Sequence, residues 1–173
     1  MDKLFVYVDG GTRRGSGEAG IGIAVCDQDG NVLEEISRLV GRATPEVARY
    51  RALIEGCRHA AAHAPESLVL FANDQQLVNR VNGVFETREP HLRHLIETAH
   101  GLLSQFPQWR LNLADRDANR LAPRLVERAF RDRIQEQIIR ERLELRLQSR
   151  IASLTVTDLE RLLEVAEQLR GSD

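Results

Sequence analysis

The chain is predicted to be an α/β protein: a five-stranded mixed sheet flanked by helices, followed by a C-terminal helical hairpin. Three observations predict this. Five short apolar or alternating runs read as strands, and turn signals join the first three into a meander. Helical periodicity is interleaved with the later strands, which puts helices on the faces of the sheet. From residue 131, "RDRIQEQIIRERLELRLQSRIASL" has no Pro or Gly and mixes charges of both signs, so it extends the last helix.

Taken in order, "LFVYVDG" is a strand ending in a turn. "GSGEAG", residues 15 to 20, spells G-x-G-x-x-G, but a dinucleotide site would need a helix to begin there. The next residues instead place Ile21, Ile23 and Val25 on one face, the alternation of a second strand, so a glycine-rich hairpin turn is expected. "DGN" at 29 to 31 is a further hairpin signal, and "VLEEISRLV" is the third strand. A helix runs from Pro45 to about Ala64, with Thr44 as its N-cap and Val47, Leu53, Ile54 and Cys57 near one face. "SLVLFA" is a buried fourth strand, and a short helix begins at Asp74. "EPHLRHLIETAHGLLSQF" carries Leu92, Leu95, Ile96, Ala99 and Leu103 at helical spacing. "WRLNLAD" is the fifth strand, and the final helical region starts near Asn119.

The last helix bears a stripe of Val126, Phe130, Ile134 and Ile138. A second helix begins in "TVTDLERLLEVAEQLRGSD", where Thr157 and Glu160 are read as a capping box. Its stripe is Leu159, Leu162, Leu163, Ala166 and Leu169, which needs a partner surface. The expected division is a domain over 1–130 and a helical extension over 131–173, the extension forming a homodimer contact or folding back on its own core.

At 173 residues, the chain is long enough for one domain with a core and an appendage. A net charge of -2 argues against a strongly basic nucleic-acid binder but leaves room for a local basic patch. Positive charge is nearly all arginine, Lys3 being the one lysine. No apolar run is long enough to span a membrane and no leader pattern is present, so a cytoplasmic location is expected. Cys26 and Cys57 have no metal-binding spacing and are expected to be reduced and buried.

Four stretches in order, "YVDGGTRRGSGEAGIGI", "ATPEVARYRALIEG", "NDQQLVNRVNGVFETREPHLRHL" and "DANRLAPRL", resemble the ribonuclease HI-like family, in the branch often labelled reverse-transcriptase-like. The resemblance covers residues 4 to about 130. It implies a ribonuclease H fold whose four central acids hold two Mg²⁺ ions and cut the RNA strand of an RNA–DNA hybrid. Such a site needs hard, charged oxygens: one metal activates the attacking water, and the other stabilises the leaving oxygen.

On this resemblance the first acid is Asp9 and the third is Asp74. The second position holds Arg49 and the fourth holds Pro123. A histidine and an asparagine often found nearby are replaced by Leu113 and Gly15. Four negative charges become two negatives and one positive. Arg49 is expected to pair with Asp9, Asp74 or both, filling the space of a metal. Losing one preorganised electrostatic group typically costs ~100- to 1,000-fold in rate, so loss of two ligands predicts little or no cleavage and weak or absent metal binding at Asp9 and Asp74. No cofactor is expected, and Mg²⁺ or Mn²⁺ only if the site is rebuilt. Glu46, Asp115 and Asp117 are the nearby acids that a rebuilt site would draw on, although solvated surface carboxylates are expected.

Arg13, Arg14, Arg51 and Arg88 are candidates for contacts to a nucleic-acid backbone, with simple solvation as the alternative. His59 with His63, and His91 with His94, have spacings that suit a metal but lack a third ligand in sequence, so exposed histidines are expected. The reading is a degenerate ribonuclease H-like protein that binds RNA or RNA–DNA hybrid. Its alternatives are an active Mg/Mn-dependent ribonuclease H with a rebuilt site, or a dimerising interaction protein that uses the fold as a scaffold.

Overall fold

The structure is a computed structural model that describes residues 2–115 and 117–170. Five strands form one sheet: β1 (Lys3–Thr12), β2 (Glu18–Cys26), β3 (Val32–Arg42), β4 (Ser67–Ala72) and β5 (Gln108–Leu113), in the order β3-β2-β1-β4-β5. The meander β1–β2–β3 is antiparallel, while β1/β4 and β4/β5 are parallel. The glycines of the first hairpin serve its turn, Gly15 and Gly17 both having positive φ.

Three helices, α1 (Pro45–Ala62), α2 (Gln75–Val81) and α3 (Pro90–Leu103), lie with the sheet's main core. Leu4, Val6 and Val8 of β1 alternate into that core, as do Ile21, Ile23 and Val25 of β2. Helix α1 packs across β1 and β2 and against α3, burying Leu53, Ile54 and Cys57. Thr44 caps it by accepting from the Val47 amide, and Pro45 occupies its first turn.

Helix α4 runs from Leu121 to Ile151, and α5 from Val156 to Arg170. The chain divides into two compact units, Met1–Asp132 and Arg133–Asp173, and the division falls within α4. The apolar stripe read on α4 changes character along its length. Val126 is buried and Phe130 is half-buried near Gly20, whereas Ile134 and Ile138 are exposed. In the second unit, no residue of α5 is buried, and Leu162, Leu163 and Leu169 are exposed. Its capping box is also two residues earlier than the sequence reading placed it. Thr155 and Asp158 exchange the bonds, each side chain accepting from the other's backbone amide. Two overlapping T-x-x-acid patterns compete here, and α5 begins at the first.

Candidate functional site

Parallel pairing of β1 with β4 sets their C-terminal ends side by side, and in the register Val8 faces Ala72. Asp9 is the next residue on β1. After β4, Asn73 leads to Asp74, the N-cap of α2. The two carboxylates thus reach one edge from segments 65 residues apart. Gly10 brings α1 to the same place: a side chain there would strike the Ala48 carbonyl and the Arg49 amide, within 2.6 Å. Only a residue without Cβ lets the start of α1 lie directly on β1 and carry Arg49 beside the acids.

Arg49 donates from Nη1 to Asp74 Oδ2 at 2.7 Å, while Asp74 Oδ1 accepts from the Leu77 amide at 2.8 Å. Both Asp74 oxygens are therefore engaged, one by the guanidinium and one by capping α2. Asp9 takes no direct ion pair among the described residues. Burial raises its carboxyl above the usual range and the neighbouring Asp74 charge adds to this, whereas a Gly10 backbone hydrogen bond and the charge of Arg49 act in the opposite sense. Of the alternatives open in the sequence, Arg49 bonds Asp74 and acts on Asp9 only through its field.

Pro123 is the third residue of α4, in the turn where a missing N–H costs least, and its ring has no donor atom for a metal. Helix α4 lies against the sheet at Gly22, where a Cβ would meet the Ala122 carbonyl at 2.1 Å. Ser37 donates its hydroxyl to the Leu125 carbonyl at 2.6 Å. Asn119 ties the start of α4 to the site: its amide donates to the Val8 carbonyl at 3.2 Å, and its side-chain oxygen accepts from the Ala122 amide. It is the one buried polar residue among those described, at 1% exposure. Together these elements enclose an open cleft of about 690 Å³ lined by Asp9, Arg49, Asn73, Pro123, Arg124 and Glu127, among others. Asn73 Oδ1 is buried there without a hydrogen-bond partner.

The acids considered for rebuilding the site have other roles. Glu46 pairs with Arg80 beside the buried Tyr50 hydroxyl, whose proton burial makes harder to lose. Asp115 caps its own loop by accepting from the Asp117 and Ala118 amides, though it borders the cleft, and Asp117 pairs with Arg120. Arg13 and Arg14 are exposed on the β1–β2 turn, and Arg88 is exposed on the loop between α2 and α3. Arg51 does not join them: its guanidinium donates to the Val40 carbonyl at 2.6 Å, next to α3 residues His94 and Leu95. His59 and His63 are not simply exposed, because Glu34 of β3 bonds both, His59 Nδ1 at 2.8 Å and His63 Nε2 at 2.5 Å. Among cleft residues, Asn119, Arg124 and Glu127 escaped the sequence reading as site residues. Glu127 carried a usable signal, since it lies four residues after Pro123 on the same helical face.

The family model described as reverse transcriptase-like matches residues 7–129. The chain belongs to this family. Ribonuclease HI of Halobacterium salinarum is 30% identical over 130 residues, covering 75% of this chain and 65% of that protein. The bifunctional protein Rv2228c of Mycobacterium tuberculosis is 33% identical over 129 residues, covering 74% of this chain and 35% of that one. The reverse transcriptase-like chain thus spans less than two thirds of either relative. Its fold is the ribonuclease H fold. The crystal structure of the halobacterial RNase H1 matches with a TM-score of 0.72 over 75% of this chain and 98% of the other. LC11-RNase H1, isolated from compost and solved in complex with RNA/DNA hybrid, matches at 28% identity with a TM-score of 0.70, covering 76% of this chain and 99% of that one. No helix among the described residues is long and apolar enough to cross a membrane.

Proposed function

We propose that this reverse transcriptase-like protein binds RNA or RNA–DNA hybrid through residues 1–130 and cuts it little or not at all. The observation that carries this reading is the Arg49–Asp74 ion pair. The donor set does not fit two divalent ions. Asp74 is bonded to a guanidinium, Pro123 offers no side-chain oxygen, and among the described residues no group of three or more His, Cys, Asp or Glu could hold a metal ion. Arg124, which lines the cleft and has no ion-pair partner among the described residues, suits a phosphate. Support for the ligand class comes from LC11-RNase H1, whose structure holds an RNA/DNA hybrid. Arg13, Arg14 and Arg88 are the exposed arginines proposed to add backbone contacts; Arg51, committed to Val40, is the weakest of the four candidates. A cytoplasmic location goes with this reading.

The test is a cleavage assay on an RNA–DNA hybrid in Mg²⁺ and in Mn²⁺, paired with a binding titration over salt concentration. The expected result is salt-sensitive binding without cleavage. Robust cleavage that vanishes in Asp9→Asn would replace this reading with that of a rebuilt active site. Arg49→Glu combined with Pro123→Asp is expected to gain Mg²⁺ binding by calorimetry beyond either single change.

A second reading rests on α5, which buries none of its side chains. We propose that residues 131–173 associate as a homodimer, with Leu162, Leu163 and Leu169 at the contact and Ile134 and Ile138 contributing from α4. Light scattering on the full chain is expected to give a dimer mass that Leu163→Glu with Leu169→Glu reduces to that of a monomer. A wild-type monomer at high micromolar concentration overturns it.

A further inference from the structure

A second cavity lies on the sheet face that carries Asp9, away from α1. Its wall is aromatic. Tyr7 of β1 stacks on Phe71 of β4 with ring centroids 5.1 Å apart and planes 13° apart, and Phe5 stacks on the same Phe71 ring at 6.4 Å and 16°. Side chains stand roughly perpendicular to a sheet, on strands about 4.8 Å apart. Near-parallel rings on neighbouring strands therefore stand on edge, face to face. The β1 rings turn one face to Phe71 and the other towards β2.

The β2 residues paired with them are small: Ala24 opposite Tyr7 and Cys26 opposite Phe5. Cys26 borders a slot beside the rings, whereas Ala24 is fully buried and lies outside its lining. The slot has a volume of about 470 Å³, and its lining includes Tyr7, Phe5, Cys26, Asp27, Asp29 and Asn119. This is within the range of roughly 300–1,000 Å³ usual for small-molecule sites. Lys3 lies over the Phe5 ring at 5.3 Å, so Tyr7 offers the freer face.

The rim supplies hydrogen-bond acceptors. Asp27 is held by the Asn31 side chain and by the amides of Asn31 and Asp29, and the Asn31 bond keeps its carboxyl below the usual range. The Asp29 carboxylate has no partner among the described residues and remains available. Two carboxylates beside a ring face disfavour a phosphate inside the slot. They favour a flat, uncharged ring with N–H donors on its edge.

We propose that this slot binds an amino-bearing purine base, stacked on Tyr7 with its N–H edge towards the carboxylates of the β2–β3 turn. Guanine fits best, because N1–H and the 2-amino group set two adjacent donors against one carboxylate. The base can come from a free nucleoside or from an unpaired nucleotide of a strand. The slot shares only Asn119 with the Asp9 cleft, so the inference does not depend on hybrid binding.

The experiment is an NMR titration of the full chain with guanosine, with uridine as the control. Guanosine is expected to shift the Asp27–Gly30 amides and the Asn119 side-chain amide, and uridine is not. Tyr7→Leu should lower guanosine affinity by about tenfold, while Tyr7→Phe, which keeps the ring, should preserve it. Asp29→Asn should lower guanosine affinity with no change in the fold's dispersion. A short single-stranded RNA ending in guanosine identifies the source. Tighter, salt-sensitive binding of the RNA points to a strand, and equal affinity points to the nucleoside. No shift with millimolar guanosine overturns the proposal, as does equal response to uridine or an unchanged affinity in Tyr7→Leu.

Discussion

Helix α1 helps to hold two carboxylates, one near its start and one near its end, by different chemistry. Near the start, Arg49 bonds Asp74 across to α2 at 2.7 Å. Near the end, His59 and His63 bond the two oxygens of Glu34 on β3. A guanidinium keeps its charge at any pH the fold survives, whereas an imidazole is charged only when protonated. The first contact is therefore a permanent neutralisation, at the position that the proposed reading takes for a replaced metal ligand. The second is a conditional one that clasps the helix to the sheet. Asp9 belongs to neither pair, and its partial burial without a direct counter-charge raises its carboxyl.

The largest effect should come from reversing the permanent contact. Arg49→Glu puts a third carboxylate beside Asp9 and Asp74, and is expected to destabilise the protein by ~3 kcal/mol, or roughly 5–10 °C in melting temperature. Added Mg²⁺ should recover part of that loss in the variant and leave the wild type unmoved. An unchanged melting temperature would mean that Arg49 does not stabilise the acids.

The histidine clasp should respond differently. Burial tends to raise the Glu34 carboxyl, but the bonds to His63 and His59 outweigh it and leave it below the usual range. A lowered folded-state value contributes stability above the ordinary glutamate value, and that stability is lost as pH falls through the folded one. Glu34→Gln is thus expected to cost ~1 kcal/mol near neutral pH, with the gap to the wild type closing as pH drops below the ordinary glutamate range. Thermal melts of both proteins across that range check this, and a gap that stays open below the ordinary glutamate range would show that the clasp is not what Glu34 provides.

The smallest effect has the opposite sign. Because the Asp9 carboxyl is raised, its contribution is favourable at low pH and is lost as pH rises through the folded value. Asp9→Asn should therefore stabilise the protein at neutral pH, by ~1 kcal/mol or less, and the gain should shrink in acid. Calorimetric melts giving a loss instead would mean that Asp9 makes a bond worth more than its burial costs.

Several of these features were legible in the amino-acid order, and the reason is locality. Thr44 and Pro45 announce the start of α1 within three residues of chain, and the alternation of Ile21, Ile23 and Val25 announces β2. Arg49 and Pro123 stood out because short motifs around them set their positions by counting. Other features were not legible. Glu34 lies 25 and 29 residues from the histidines it joins, and nothing in a helical i, i+4 pair says which strand residue will face it. The capping box of α5 was misplaced by two residues because both candidate threonines satisfy the same local rule, and the choice depends on where the preceding turn ends.

Residue types and their spacing were enough to place the strands and helices, and four motifs in order were enough for the resemblance to the ribonuclease HI-like family. Such features depend on neighbours in the chain, through backbone preference and the period of burial. Tertiary structure alone decided that Arg49 takes Asp74 rather than Asp9, that Glu34 meets both histidines, and that Tyr7 and Phe5 line a slot bordered by Cys26. Each of these depends on strand register, and on how closely α1 and α4 approach the sheet at Gly10 and Gly22. A shift of one residue in that register would send every one of those strand side chains to the opposite face.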